Sequence, residues 1–186
     1  SYAHSCKIVL NEMPFYYIIN YRSYAKGTDV ETFSMDRFLA AKATMEEVGT
    51  ALVASGNVGS GETVEGAARL EPGQSLDIET PGGPGAIRSL ALRLPNTLEK
   101  DALRSLVLKM HFDGENTVSC PLSEFFGAGI SVNPVRDWNR EVTADGEFKC
   151  WWVMPYQSSG RVQLCNTGSQ AIDARLSLST SSWDWD

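Results

Sequence analysis

Histidine is nearly missing from this sequence: 186 residues hold only His4 and His111. The four cysteines, Cys6, Cys120, Cys150 and Cys165, make no C-x-x-C spacing, so neither a structural zinc nor a redox pair is indicated, and no metal or cofactor is expected. The thiols read as reduced, half-buried small hydrophobes, with a Cys150 to Cys165 cross-strand disulfide as the open alternative. Basic residues are also few, 16 against 23 acidic ones, and they form no stripe that could follow phosphates. Nucleic acid is therefore not an expected partner. Long hydrophobic runs are absent as well. The longest, Phe15 to Ile19, is far short of the roughly 20 residues of a membrane helix, so no membrane is expected. There is no initiator Met and no basic-then-apolar leader, and the chain is expected to be a piece of something longer, of unassigned compartment. Gly56 to Gly61 lacks the Lys-Ser/Thr of a phosphate loop, and no G-x-S-x-G occurs.

What is present is a patterned, ordinary globular composition, 42% hydrophobic, enough for one sizeable domain. Its organising stretch is LRSLVLKMHFDGENTVSCPLSEFFG, Leu103 to Gly127. Leu106, Leu108, Met110 and Phe112 alternate with Val107, Lys109 and His111, the period of a strand with one face on a core. Asp113-Gly114 is a tight-turn dipeptide that predicts a hairpin into Thr117 to Cys120, and Pro121 ends that strand. Phe125 and Phe126 then form an aromatic plug before Gly127.

Taken in order, Cys6 to Leu10 and Phe15 to Arg22 read as a hairpin of two strands. Ser34 is a helix N-cap, and Phe33 and Phe38 fit a hydrophobic staple. Phe38, Ala41, Met45, Val48 and Leu52 recur at helical spacing, which predicts one helix of about five turns lying on a sheet and ending near Gly56. Ser55 to Gly66 is Gly-rich and reads as a linker. Strands resume over Ser75 to Glu79 and Ala86 to Leu94, joined by Pro81-Gly82-Gly83-Pro84-Gly85. Gly127 to Gly146 reads as a long irregular loop. Three half-buried strands follow, around Phe148 to Met154, Arg161 to Leu164 and Ile172 to Leu178, and the tail SSWDWD carries no strand pattern. Residues 2–11 also align weakly with residues 156–165, as two copies of one closing strand would. The expected fold is all-β: an antiparallel jelly-roll β-sandwich, part of a double jelly roll, with one bridging helix. The expected divisions are closing strands of a first jelly roll at 1–33, helix and linker at 34–66, and a second jelly roll at 67–186.

IINYRSYAKGTDVETFS, GGPGAIRSLALRL, FDGENTVSCPLSEFFGAG and WWVMPYQSSGRVQLCNTG occur in this succession across nearly the whole chain. Together they resemble glycoside hydrolase family 172, long catalogued as a bacterial domain of unknown function. The resemblance implies a double jelly roll assembled into trimers or hexamers and acting on α-linked furanosides of D-fructose or D-arabinose by a retaining mechanism. The family's two catalytic glutamates lie in Gly-Glu-Gly-Asp and Gly-Thr-Gly-Thr-Glu-Asp-Tyr segments, and neither string occurs before Asp186. No catalytic residue carries over to this chain. The implied role is scaffold and oligomer interface of such an enzyme. The alternative is a non-catalytic jelly-roll module that binds carbohydrate or assembles in a capsid-like way.

Six residues stand out as candidates for contact with a homo-oligomeric partner or an oligosaccharide. Asp113 and Glu115 bracket Gly114 as an acid and base would, although a turn needs Asp-Gly for its backbone alone. Trp151 and Trp152 should face opposite sides of their strand, one in the core and one exposed for a sugar ring or a subunit contact. Trp138 and Arg140, with Arg136, Asp137 and Asn139, form the most polar aromatic cluster on a predicted loop. His111, opposite the core face, reads as a surface histidine.

Overall fold

The computed structural model of the chain describes residues 1–12, 16–54, 61–95 and 102–185. It divides into two compact units, Ser1–Gly49 and Thr50–Asp186. The predicted connection through Met13 and Pro14, the first residue of the predicted second strand, Phe15, and the first part of the predicted linker lie outside the described residues.

Thr50–Asp186 is a β-sandwich of two antiparallel sheets. Its strands are β1 (Glu62–Leu70), β2 (Ser75–Glu79), β3 (Gly85–Arg93), β4 (Leu106–Phe112), β5 (Glu115–Pro121), β6 (Val135–Arg136), β7 (Arg140–Val142), β8 (Glu147–Cys150), β9 (Met154–Tyr156), β10 (Gly160–Asn166) and β11 (Ile172–Ser182). One sheet runs β1-β11-β3-β8-β7-β6, with β9 also on β3; the other runs β2-β10-β4-β5. The long strands thus alternate between sheets, β1 beside β11 and β2 beside β10, with β3 and β4 next inward. That nesting of the first strands against the last is the jelly-roll connectivity expected from the sequence.

The alternation in each strand decides which side chains fill the space between the sheets. Leu106, Leu108 and Met110 of β4, Val162 and Leu164 of β10, Leu90 and Leu92 of β3, and Leu176 and Leu178 of β11 are all buried there. Between β4 and β5 the Asp113-Gly114 turn has positive φ at both positions, 53° and 89°, the primed geometry that matches the twist of a two-residue hairpin. After Pro121 the chain makes a short helix (Leu122–Phe126) closed by Gly127 at φ 65°. Phe126 is fully buried and meets Phe148 edge-on at 5.4 Å, so the aromatic plug closes the space between the sheets.

Several expectations change. The predicted linker ends early: from Glu62 onward it is β1, paired with β11 over its whole length. Its inward positions, Val64, Gly66, Ala68 and Leu70, are mostly small, so its alternation has little hydrophobic amplitude. Gly66 is needed small, since a Cβ there would stand 3.2 Å from Leu76. Within the predicted loop Gly127 to Gly146 lies the β6–β7 hairpin, with Val135 opposite Val142 and Arg136 opposite Glu141. The predicted continuous strand from Phe148 to Met154 is broken. Leu90 pairs with Cys150 but Ile87 with Met154, so Trp151 to Val153 bulge away from β3. The strand β11 also takes in Ser181 and Ser182 of the tail. All four cysteines are free thiols; Cys150 and Cys165 belong to different sheets.

In Ser1–Gly49 the described residues form no strand, against the two predicted. The N-terminal segment is tied to residues 31–33 by Ser1 Oγ donating to Glu31 O (2.5 Å), Ala3 N to Thr32 Oγ1 (3.1 Å) and Phe33 N to Ser1 O (3.0 Å). Many of the aromatic and β-branched side chains described here are exposed: Ile18 is 86% exposed. Residues of strand composition become strands only with a hydrogen-bonding neighbour and a face to bury, and the described residues pair none of these segments in a sheet. The helix starts as predicted. Ser34 Oγ accepts from Arg37 N at 3.4 Å, and the Phe33 and Phe38 rings meet at 6.2 Å. It comprises Met35–Ala40 and Lys42–Val53, interrupted at Ala41. Its predicted sheet-facing stripe, Phe38, Met45, Val48 and Leu52, is exposed. Among the described residues no helix is long and apolar enough to cross a membrane.

Candidate functional site

Three connections meet at one end of the sandwich: Pro81 to Gly85 between β2 and β3, the Asp113-Gly114 turn, and Gln157 to Ser159 between β9 and β10. Strand direction brings them together, because β2, β4 and β9 end here while β3, β5 and β10 begin here. The Asp113 carboxylate accepts the backbone N–H groups of Gln157 (2.8 Å), Ser158 (2.6 Å) and Ser159 (3.1 Å), and Asp113 N donates to Ser159 O at 2.9 Å. Those three N–H groups hold its pKa below the ordinary carboxylate value. Gly83 N donates to Ser158 O at 2.8 Å, and the Tyr156 hydroxyl to Pro81 O at 3.1 Å. The Gly83-Pro84 peptide is cis. Two glycines permit this closeness: a Cβ on Gly83 would collide with the Gln157 carbonyl, and one on Gly85 would stand 2.5 Å from the Tyr156 hydroxyl. Three of the four familiar stretches, GGPGA, FDGE and MPYQSSG, thus form one hydrogen-bonded knot.

Beside the knot is a polar cleft of about 360 Å³ lined by Glu79, Thr80, His111, Gly114, Ser159, Gly160 and Arg161. Arg161 pairs in register with Glu79 on one side and His111 on the other, and His111 with Asn116. Their neighbours Ile78, Met110 and Val162 point into the core, so this row faces outward. Thr80 anchors the inner wall: Thr80 N donates to Gly160 O (2.8 Å) and Gly160 N to Thr80 Oγ1 (2.9 Å). One row further along, the Asp77 carboxylate accepts from Gln163 Nε2 (2.8 Å) and Ser75 Oγ (2.9 Å).

The six candidate residues fall into two groups. Asp113 belongs to the knot, its carboxylate engaged by backbone. Glu115 is exposed at the start of β5, opposite Phe112. The other four gather around the β6–β7 hairpin, where Arg140 pairs with Cys150 and Trp151 N donates to Asn139 O at 2.8 Å. Asp137 accepts from Asn139 N (3.1 Å), Arg140 N (3.0 Å) and Arg140 Nε (2.7 Å). Partial burial pushes the Asp137 carboxyl up, but those donors and the Arg140 charge outweigh it and hold its pKa below the ordinary value. The Arg140 guanidinium covers Gly127, where a Cβ would stand 2.6 Å from Nη1. Trp138 is 58% exposed at the tip of this braced turn. Trp152 packs edge-on against Phe125 at 4.8 Å, and Trp151 is half-buried. The expected division into one core and one exposed tryptophan gives way because the bulge interrupts the strand's alternation. His111, Glu79 and Arg161 were not singled out together by the sequence, although each stands opposite the core face at a strand end.

The two sheets, with the first strands nested against the last and three connections knotted at one end, define an antiparallel jelly-roll β-sandwich. The family comparison is specific: residues 60–177 match the GH172 domain-like model, and residues 1–41 match the GH172 first beta-sandwich domain model. The chain belongs to glycoside hydrolase family 172. No curated protein matches it.

Proposed function

We propose that this chain is the scaffold of an enzyme acting on α-D-furanosides, fructofuranosides or arabinofuranosides, as a homo-oligomer whose catalytic carboxylates come from segments other than these. The observation that carries the reading is the knot. It engages the carboxylate of Asp113, the obvious acid of the sequence, with three backbone N–H groups, and this structural use supports seeking the nucleophile and acid/base pair of a retaining glycosidase in other segments. Membership of the family supports hydrolase chemistry in the complete assembly. Residues 1–33, rich in strand-forming residue types and without a sheet among the described residues, are proposed as strands of a first jelly roll completed by other segments, with 34–66 joining it to the second.

The test is hydrolysis of aryl α-D-arabinofuranosides and difructose anhydrides by the 186-residue chain, beside the protein of which it is part. The expected result is no turnover by the chain and turnover by the complete protein. Turnover by the chain alone would show that catalysis lies within these residues. An inert complete protein that binds oligosaccharide with tryptophan quenching would favour the binding-module alternative.

A further inference from the structure

The polar cleft beside the knot has the size of a small-ligand site, and the geometry points to a polyhydroxylated carboxylate, a sugar acid, as what it takes. Its volume of about 360 Å³ falls at the small end of the range for ligand clefts, about 300 to 1,000 Å³, a size that suits one sugar ring. The floor carries no side chain at Gly114 and Gly160, and a Cβ at Gly160 would be only 3.1 Å from Phe112 and Thr80. One wall is fixed in place, because Thr80 and Gly160 are mutually bonded and Ser159 N is held by Asp113. A preformed site loses less ordering entropy on binding.

The chemistry of the walls sets the ligand. Arg161 and His111 stand side by side across β10 and β4, with Lys109 in the next outward row. The one ion pair of Arg161 among the described residues is a long contact with Asp77, 3.9 Å from Nε. Asp77 is already engaged by Gln163 and Ser75, which leaves the planar guanidinium fork for a carboxylate. On the far side of Arg161, Glu79 can only accept hydrogen bonds when ionised, and Ser159 offers a hydroxyl; these are groups for sugar hydroxyls. Among the described residues that line the cleft there is no Phe, Tyr or Trp, so recognition rests on polar contacts more than on stacking. Carboxylate at one end and hydroxyls at the other describe an aldonic or uronic acid.

This inference goes beyond the furanoside reading and is tested apart from it, by calorimetric titration of the 186-residue chain, with no turnover involved. D-Glucuronate and D-gluconate are the probes, with D-glucose and inorganic phosphate as matched controls. At least one sugar acid should bind saturably and more tightly than either control. Arg161→Ala should weaken it about tenfold to a hundredfold, the usual effect of losing charge-assisted hydrogen bonds. His111→Gln should weaken it less. Arg161→Lys, which keeps the charge and loses the fork, should fall between, and it serves if the alanine variant does not fold. Equal binding of glucose would overturn the carboxylate assignment, and equal binding of phosphate would overturn the sugar. No saturable binding, or binding unchanged in both Arg161 variants, would remove the site altogether.

Discussion

Ser1–Gly49 and Thr50–Asp186 are both rich in aliphatic and aromatic residues, yet the second builds a closed core while the first buries almost none of its large side chains. Composition alone does not separate them. The difference lies in partners: each strand of the jelly roll has neighbours and an opposing sheet, whereas Cys6 to Leu10 and Tyr16 to Arg22 have neither within the described residues. A hydrophobic strand gains stability only from what it is laid against.

The sharpest way to test this contrast is truncation on either side of it. Leu108→Ala, in the core of β4, should cost about 2 to 5 kcal/mol in denaturant unfolding, while Ile18→Ala should change stability by less than about 0.5 kcal/mol. Comparable losses at both sites would mean that Ser1–Gly49 has a core of its own. Within the sandwich, Gly83→Ala should cost about 1 to 3 kcal/mol or more, because its Cβ meets the Gln157 backbone; Gly82→Ala, with open space around it, should be nearly silent. Equal thermal midpoints for the two variants would show that the knot is loose.

A third comparison is one of pH. The Asp113 pKa is lowered in the folded chain, so its contribution to stability is present above the ordinary carboxylate value of 3.8 and is lost as pH falls from there through the folded value. Asp113→Asn should therefore lower stability at neutral pH and flatten the acid limb of the profile; an unchanged acid limb would show that the three N–H contacts do not act in solution. Smallest in free energy is thiol labelling. Cys6 is exposed and should react first with a disulfide reagent, whereas burial pushes the Cys150 thiol up to about 12 and should protect it until the sandwich unfolds. Early labelling of Cys150 would indicate that the sheet opens at β8, between β3 and β7.

Much of the sandwich was legible because its strands alternate strongly. Leu90, Leu92 and Leu94, or Leu106, Leu108 and Met110, declare a buried face without reference to any other part of the chain. The short hairpin β6–β7 and the small-residue strand β1 did not, since a side chain such as Gly66 or Ala68 marks the inward face only once Leu76 is seen against it. The Trp151 to Val153 bulge was hidden for another reason: an extra residue in a strand is defined by register with β3, which the local pattern does not contain. Of the candidate site, the Asp113 turn was visible but its partners were not. The three N–H groups that it binds lie more than forty residues away in sequence.

By itself the sequence determined the local matters: the strands that alternate, the Asp113-Gly114 turn, the Ser34 cap with its Phe33 and Phe38 staple, and the family. Each depends on neighbours a few residues apart. Only the tertiary structure decided that Glu79, His111 and Arg161 share one cleft, that Asp113 holds a distant loop, and which strand-like segments become strands. Those outcomes come from the pairing of β2, β10 and β4, strands far apart along the chain, and register between distant strands is set by the packing of the whole sandwich.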